Sequence, residues 1–177
     1  MATAKSVEIT ALDASPREVL ETGSLEGRMR VASGTIAAGT GDIDNDDVLM
    51  MVQIPSNAKV LSIKLFNDDL DSNGSPSLAA NVGLYYASSG VVIDEDCYAS
   101  AITTLQAAET SGAEVAFEAR NVNAVSNFAW EDGGLSSDPA EALRIAITIS
   151  NVSATAAAGD VTMIVTYVVD KRQQTGG

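Results

Sequence analysis

The chain has 177 residues, a formal net charge of −14 and 46% hydrophobic residues. This length favours one domain that buries about two-thirds of the surface of its unfolded chain. The absence of histidine and the presence of one cysteine, Cys97, exclude a Ser/His/Asp triad, a Cys/His pair, a histidine zinc site and an intrachain disulfide. The acidic balance disfavours direct contact with nucleic acid or an anionic membrane, because like charges repel.

The N-terminal residues differ from the rest of the chain. Residues 1–26 mix polar residues with short apolar groups, interrupted by Pro16. We predict an extended N-terminal arm here, in which Val7 and Ile9 add one strand and residues 17–21 form one helical turn; a disordered start is the alternative. Residues 27–170 are predicted to form the β-sandwich domain and residues 171–177 a flexible tail. Neither a signal peptide nor a membrane-spanning run is recognisable.

Most of the chain has the pattern of short β-strands. Strands are predicted over residues 28–36, 48–54, 59–66, 78–86, 114–120, 142–150 and 161–170, where apolar residues alternate or β-branched residues dominate. Turn residues separate them at short, regular spacing, which is typical of a sandwich or barrel rather than of βαβ units. We count roughly eight strands and predict an all-β, two-sheet β-sandwich of jelly-roll type.

A few helical turns interrupt this pattern. Residues 94–104 are predicted to be a short helix, because acidic residues suit a helix N-terminus. Residues 121–131 have apolar residues at roughly helical spacing, which predicts a short helix. Residues 138–141 match a capping box with proline at the first helical position, which predicts one helical turn. The core is expected to consist of Val, Ile, Leu and Ala, with Trp130 and Phe66 as large anchors.

Two acidic loops have part of the pattern of a calcium-binding loop. The first places Asp42, Asp44 and Asp46 at alternate positions. The second, Asp69 to Gly74, fits the beginning of the motif, and position 12 falls on Ala80 rather than on the bidentate Glu. Asp, Asn and Gly are also the residues that β-turns select. We therefore favour turn chemistry and predict neither a metal nor a cofactor.

No spacing singles out catalytic residues. A pair of carboxylates for glycoside cleavage and a sugar platform on Trp130, beside Glu131 and Asp132, remain formal alternatives. A single Trp in a chain with few aromatics is more typical of a core, and Cys97 has no histidine to activate it. We therefore expect a binding or structural protein rather than an enzyme.

The segment from residue 28 to residue 86 contains the runs VASGTIAAGTGD, IPSNAKVLSIKL, DDLDS and VGLYY, and residues 134–149 read GLSSDPAEALRIAITI. In this order the runs resemble virion structural proteins of tailed bacteriophages, over Ser6 to Val169. The resemblance implies a capsid decoration, or cement, protein that is assembled in the host cytoplasm and lies on the capsid surface. It implies the major capsid protein as a partner and a homotrimer as the assembly.

Other roles remain open from the sequence. A tail, connector or head-fibre structural protein, or a β-sandwich glycan-binding adhesion module, fits the same pattern. Neither nucleic acid nor a membrane is expected as a partner. The partner-binding residues that we predict lie in the arm and at the start of the first sandwich strand: Val7, Ile9, Leu12, Arg17, Arg28 and Arg30.

Overall fold

The computed structural model describes Lys5, residues 7–16 and residues 28–169. Within these residues, eight strands form two antiparallel four-stranded sheets. The strands are β1 (Arg28–Ala38), β2 (Val48–Pro55), β3 (Ala58–Asn67), β4 (Ala79–Tyr86), β5 (Val92–Ile102), β6 (Glu109–Glu114), β7 (Ala142–Asn151) and β8 (Gly159–Val169).

The strand order identifies the sandwich as a jelly roll. One sheet has the order β1-β8-β3-β6 and the other β2-β7-β4-β5. Consecutive strands therefore lie in opposite sheets, except β4 and β5, which pair with each other in one sheet. This order is that of the eight-stranded jelly roll. The predicted fold class is confirmed, as are the six predicted strands that became β1, β2, β3, β4, β7 and β8.

The connections divide between the two ends of the sandwich. At one end, four loops pass from sheet to sheet: residues 39–47, 68–78, 103–108 and 152–158. These loops contain seven aspartates and neither lysine nor arginine, and we call this the acidic end. At the opposite end lie the start of β1, the end of β8 and the long β6–β7 connection, as the strand register requires.

The core lies between the sheets and consists mainly of aliphatic side chains, as expected. Fully burying one such side chain contributes about 1.5–3 kcal/mol. Trp130 packs against this core, in agreement with the anchor interpretation. Phe66 was expected to be a second anchor, but it lies half-buried next to Gly112. The largest fully buried side chain is instead Tyr98.

The described helices are short. They are α1 (Val7–Asp13), α2 (Ala129–Asp132) and the 3₁₀ helices Thr104–Gln106 and Val122–Ser126. The predicted strand at Val7 and Ile9 is wrong, because both residues lie in α1. The four-residue spacing of the apolar residues Val7 and Ala11 is helical spacing. The helix predicted over residues 121–131 is confirmed in part, as two separate turns. Among the described residues, no helix has both the length and the apolar character needed to cross a membrane.

The helix predicted over residues 94–104 is wrong, because these residues continue β5. The β5 strand pairs irregularly with β4: Leu84 lies opposite Asp94, but Val82 lies opposite Ala99. The extra residues on β5 form a bulge that contains Asp96, and Asp94 Oδ1 accepts a hydrogen bond from the Asp96 amide at 3.1 Å. The acidic residues therefore belong to a bulged edge strand rather than to a helix N-terminus.

The strand predicted over residues 114–120 is also wrong beyond its first residue, because β6 ends at Glu114. The Glu114 carboxylate accepts a hydrogen bond from the Ile63 amide of β3 at 2.9 Å and one from the Ala116 amide at 3.0 Å. The Glu114 side chain thus takes the Ile63 N–H group, which a longer β6 would use as a backbone hydrogen-bond donor. The chain then turns, and Arg120 enters the interior.

The helical turn predicted at residues 138–141 is not formed. Asp138 Oδ1 accepts hydrogen bonds from the Ser56 hydroxyl at 2.6 Å and from the Ala140 amide at 2.8 Å. Ala140 has φ 55°, a left-handed conformation that cannot continue a right-handed helix. Asp138 therefore stabilises the turn that precedes β7 and links it to the turn between β2 and β3.

Candidate interaction surface

The most exposed apolar side chains of the sandwich lie at the start of β1. Met29 is 68% exposed and Val31 is 63% exposed. Arg28 and Arg30, between and beside them, are also exposed. We call these four residues the β1 corner. Because successive strand residues point to opposite faces, both faces of the strand are open to a partner here.

The register of β1 explains why the corner is exposed. The β1 strand pairs only with β8 among the described residues, with Arg28 opposite Val169, so its other edge is unpaired. Farther along β1, a Cβ on Gly34 would lie 2.2 Å from the Met51 carbonyl oxygen, which shows how closely β1 approaches β2 there. The strand therefore packs closely against β2 at Gly34, whereas its first four residues, although paired with β8, are exposed on both faces.

The charge around the β1 corner differs from that of the molecule as a whole. The nearest strand segments, β2 (Val48–Pro55) and residues 161–169 of β8, contain no acidic residue. Neither Arg28 nor Arg30 forms an ion pair with any residue that the structure describes. The corner thus combines basic and apolar groups on a protein whose opposite end is acidic, which is the composition of a protein contact rather than of a solvated face.

The structure places only part of the predicted partner-binding set together. Arg28 and Arg30 lie two residues apart on the same side of β1, and Ile9, which is 47% exposed, lies on the separate helix α1. The side chains of Val7 and Leu12, and the whole of Arg17, lie outside the described residues. The sequence analysis missed Met29 and Val31. The alternation of basic and apolar residues in RMRV gave no signal of their exposure, because an apolar residue at every second position is also the pattern of a strand that buries one face.

The second acidic loop is built by turn chemistry around one carboxylate. Asp71 is 1% exposed. Its Oδ2 accepts hydrogen bonds from the amides of Ser77, Leu78 and Ala154 at 2.7, 3.0 and 2.9 Å, and its Oδ1 accepts one from Thr155 at 2.9 Å. Asp71 therefore joins the β3–β4 loop to the β7–β8 loop.

The other carboxylates of these loops make similar local contacts. Asp42 Oδ2 accepts a hydrogen bond from the Gly39 amide at 2.8 Å, and Asp69 Oδ1 accepts one from the Asp71 amide at 3.0 Å. The contact of Asp69 is that of an Asx turn, and the contact of Asp42 closes the first loop onto its own beginning. Among the described residues, no group of three or more acidic or cysteine side chains is arranged to hold a metal ion.

We expect the substitution Asp71→Asn to destabilise the fold strongly. The amide group of Asn would bring an N–H donor against amide donors and would remove the charge that they stabilise. The midpoint of thermal unfolding should fall by more than about 5 °C. The matched control is Asp44→Asn, which changes an exposed carboxylate in the first acidic loop and should leave the midpoint within about 1 °C. Equal midpoints for the two variants would contradict this role.

The same carboxylate predicts an acid-dependent loss of stability. Burial opposes the charge of Asp71, but the four amide donors outweigh it and hold its pKa well below the ordinary value of 3.8. A lowered pKa in the folded state adds stability above pH 3.8 that disappears as the pH falls below that value. The difference in melting temperature between wild type and Asp71→Asn should therefore shrink between pH 5 and pH 2.

A buried ionic cluster lies at the end of the sandwich opposite the acidic loops. Arg120 Nη1 donates to Asp132 Oδ2 at 2.5 Å, and Arg120 Nη2 donates to the Val60 carbonyl at 2.7 Å. The Tyr98 hydroxyl donates to the same Asp132 oxygen at 3.2 Å. The guanidinium also lies over the Phe117 ring at 4.6 Å. These contacts hold the β6–β7 connection against β3 and β5.

The pKa shifts in and beside this cluster fit a structural role. Burial raises the pKa of Asp132 to about 6 against the opposing effect of Arg120. Burial also raises the pKa of the Cys97 thiol well above its ordinary range, and the neighbouring Asp94 and Asp132 add to this. A thiol that remains protonated at neutral pH is a poor nucleophile, which supports the structural interpretation of Cys97.

One small cavity opens between β5 and β6. It has a volume of about 270 Å³ and is lined by residues 100–104, 113–115 and 118. Its carboxylate Glu114 is already engaged with the Ile63 and Ala116 amides and the Ser62 hydroxyl. The second carboxylate of the lining, Glu118, is exposed to solvent, and the described residues of the cavity do not bring together a cluster of titratable groups.

The described residues thus form a jelly roll with an exposed basic and apolar corner at the start of β1. A chain of the cyanophage Pam1 capsid asymmetric unit is similar to it, with a TM-score of 0.59 and 28% identity over 96% of this chain and 99% of that chain. A chain in the capsid of Ralstonia phage GP4 has a TM-score of 0.60 and 19% identity over 82% of this chain and 86% of that chain.

The two similarities carry different weight. At 19% identity, the GP4 match shows the fold alone. The Pam1 match extends over almost the whole of both chains at higher identity, and it supports a structural role in a phage virion. No protein-family model matches the chain, and the comparison with curated proteins gives no match.

Proposed function

We propose that this chain is a decoration, or cement, protein that binds the major capsid protein on the outside of a phage head as a homotrimer. The observation that carries the proposal is the near full-length similarity to a chain of the Pam1 capsid. The eight strands close one core within a single chain. A protein that adds to an existing shell needs such an independently folded body together with surfaces for its neighbours.

The proposed contacts follow from the exposed groups. In this proposal, residues 1–26 form an arm that contacts the shell through Val7, Ile9, Leu12 and Arg17, residues 27–170 form the body, and residues 171–177 form a flexible tail. Exposed Ile9 and the basic, apolar β1 corner support protein contacts in this region. The −14 net charge makes the DNA inside the head an unfavourable partner.

The mechanism of stabilisation is binding linkage. A protein that binds the assembled shell but not its separated subunits stabilises the shell by mass action. Because a shell presents many equivalent sites, a modest free energy at each site adds up over the particle. Such a role requires binding surfaces and no reaction chemistry.

The proposal is tested with DNA-filled heads that lack this protein. Heads without it should release DNA at a lower temperature than complete heads, and adding the purified protein should restore the higher temperature. The assay is a dye that reports released DNA during heating. Equal release temperatures, with or without the protein, would contradict the clamping role.

Imaging of the intact particle separates the remaining positions. A gold-labelled antibody should label the faces of the head at many sites. Labelling confined to the tail or to the connector would assign the protein to those structures and reject the decoration role. Binding to host glycans by a protein that does not bind heads would favour the adhesion module.

A further inference from the structure

We propose that the β1 corner docks on the β5 corner of a second copy of this chain, in a head-to-tail contact. The β5 corner consists of the exposed residues Val91, Val92 and Glu95 with the adjacent half-buried Asp94 and Asp96. This inference deepens the proposed function, because it names a neighbouring copy, rather than the shell, as the partner of Arg28 and Arg30.

The two corners match in their apolar groups. Val91 is 56% exposed and Val92 is 46% exposed, which places them with Met29 and Val31 among the most exposed large hydrophobic residues of the described chain. Each corner presents two adjacent apolar groups at the edge of a sheet. Removing them from water together is favourable, whereas either pair alone remains hydrated in an isolated chain.

The two corners are opposite in charge. The β1 corner has two arginines and no acidic neighbour on β2 or on the adjoining part of β8. The β5 corner has three carboxylates in consecutive residues: Asp94 and Asp96 interact with each other, and the exposed Glu95 accepts a hydrogen bond from the Asn81 side-chain amide group at 3.3 Å. Burial, together with the adjacent Asp96 carboxylate, raises the pKa of Asp94, so that this crowding of like charge has a cost that a basic partner would relieve. Complementary charge of this kind sets the orientation of a contact.

The topology prevents one copy from joining its own two corners. The β1 strand lies beside β2 at one side of the sandwich, and β5 is three strands away from β2 in the other sheet. Strand spacing of about 4.8 Å makes this separation about 14 Å. Each copy therefore contacts one neighbour through its β1 corner and another neighbour through its β5 corner. Such a heterologous contact forms a closed ring when the rotation between copies permits.

The bulge in β5 limits the contact to side chains. Its pairing with β4 shifts register three times, and such an irregular edge cannot extend a continuous β-ladder into a neighbour. The contact therefore depends on the charges and the apolar groups of the two corners. This dependence makes it sensitive to surface substitutions that leave the fold intact.

The first test measures the mass of the purified protein in solution by light scattering. Wild type should have three times the 18.2 kDa mass of the chain. Arg28→Glu with Arg30→Glu should weaken self-association at least tenfold, and adding Glu95→Arg with Asp96→Arg should restore it. Lys64→Glu, which changes an exposed base elsewhere on the same sheet, is the control and should retain the wild-type mass.

The second test identifies which corners meet. In a Cys97→Ser background, a mixture of Met29→Cys and Val92→Cys proteins should form a disulfide between copies under mild oxidation, and each variant alone should not. A wild-type protein that has the mass of one chain at all concentrations would overturn the inference, as would disulfide formation by Met29→Cys alone. Neither test uses heads, so failure here is distinguishable from failure to bind the shell.

Discussion

Replacing Arg120 with methionine should lower the free energy of unfolding by about 3–5 kcal/mol, the loss expected when one partner of a buried ion pair is removed. The side chains of Asp132 and Arg120 are 1% and 5% exposed. The substitution keeps an unbranched side chain in the interior but leaves the Asp132 carboxylate without a counter-charge. Measurement at pH 7.5 is appropriate, because burial raises the pKa of Asp132 to about 6, so that the carboxylate is ionised at that pH and depends on Arg120 for its counter-charge.

The control for this loss is an exposed ion pair of the same chain. Lys5 Nζ lies 2.7 Å from Asp13 Oδ2, with side chains 47% and 55% exposed. Asp13→Asn should cost less than about 1 kcal/mol, because exposed pairs contribute little. The double variant Arg120→Met with Asp132→Leu should be more stable than either single charge deletion. A small loss in Arg120→Met would show that the cluster does not hold the β6–β7 connection.

Replacing Gly83 with alanine should destabilise the protein by about 3 kcal/mol, at the upper end of the usual cost of overpacking. A Cβ at this position would lie 2.1 Å from the Asp94 carbonyl oxygen and 2.3 Å from the Glu95 carbonyl carbon. These are backbone atoms, which cannot move aside as a flexible side chain can. The bulged part of β5 would have to separate from β4.

Urea unfolding monitored by Trp130 fluorescence measures this effect. Gly74→Ala is the control, because no atom lies within 4 Å of the Cβ that it would add, and its midpoint should match that of wild type. Because Gly83 supports the bulge that carries Glu95, Gly83→Ala should also weaken self-association. A variant as stable as wild type would mean that β5 does not approach β4 as closely as the structure shows.

The strands that the sequence predicted correctly share one property. In β8, apolar residues alternate because the sandwich buries one face of the strand. In β2 and β7, the apolar runs lie where consecutive residues are buried, such as Ile145 to Ile149. Burial requires these patterns, so they are visible in the residues themselves. For the same reason, the eight-strand count and the two-sheet architecture could be predicted.

The errors lie where side chains replace backbone contacts. Glu114 takes the amide of Ile63 and thereby ends β6, and Asp138 binds Ser56 and Ala140 where a helical turn was expected. A carboxylate that accepts from a residue about fifty or eighty positions away leaves no periodic signal. Local pattern therefore cannot predict these boundaries, nor the bulge that made an acidic segment of β5 resemble a helix N-terminus.

The candidate interaction surface was likewise predicted only in part from the sequence. The sequence analysis named Arg28 and Arg30 as contact residues. Only the structure showed that Met29 and Val31, beside them on the edge strand β1, are exposed. The sequence by itself determined the all-β class, the strand pattern and the charge, because these depend on composition and local periodicity. The tertiary structure alone decided that Asp71 joins two loops, that Arg120 meets Asp132, and that a basic, apolar corner lies opposite the acidic end. Each of these depends on contacts between residues that are far apart in the chain.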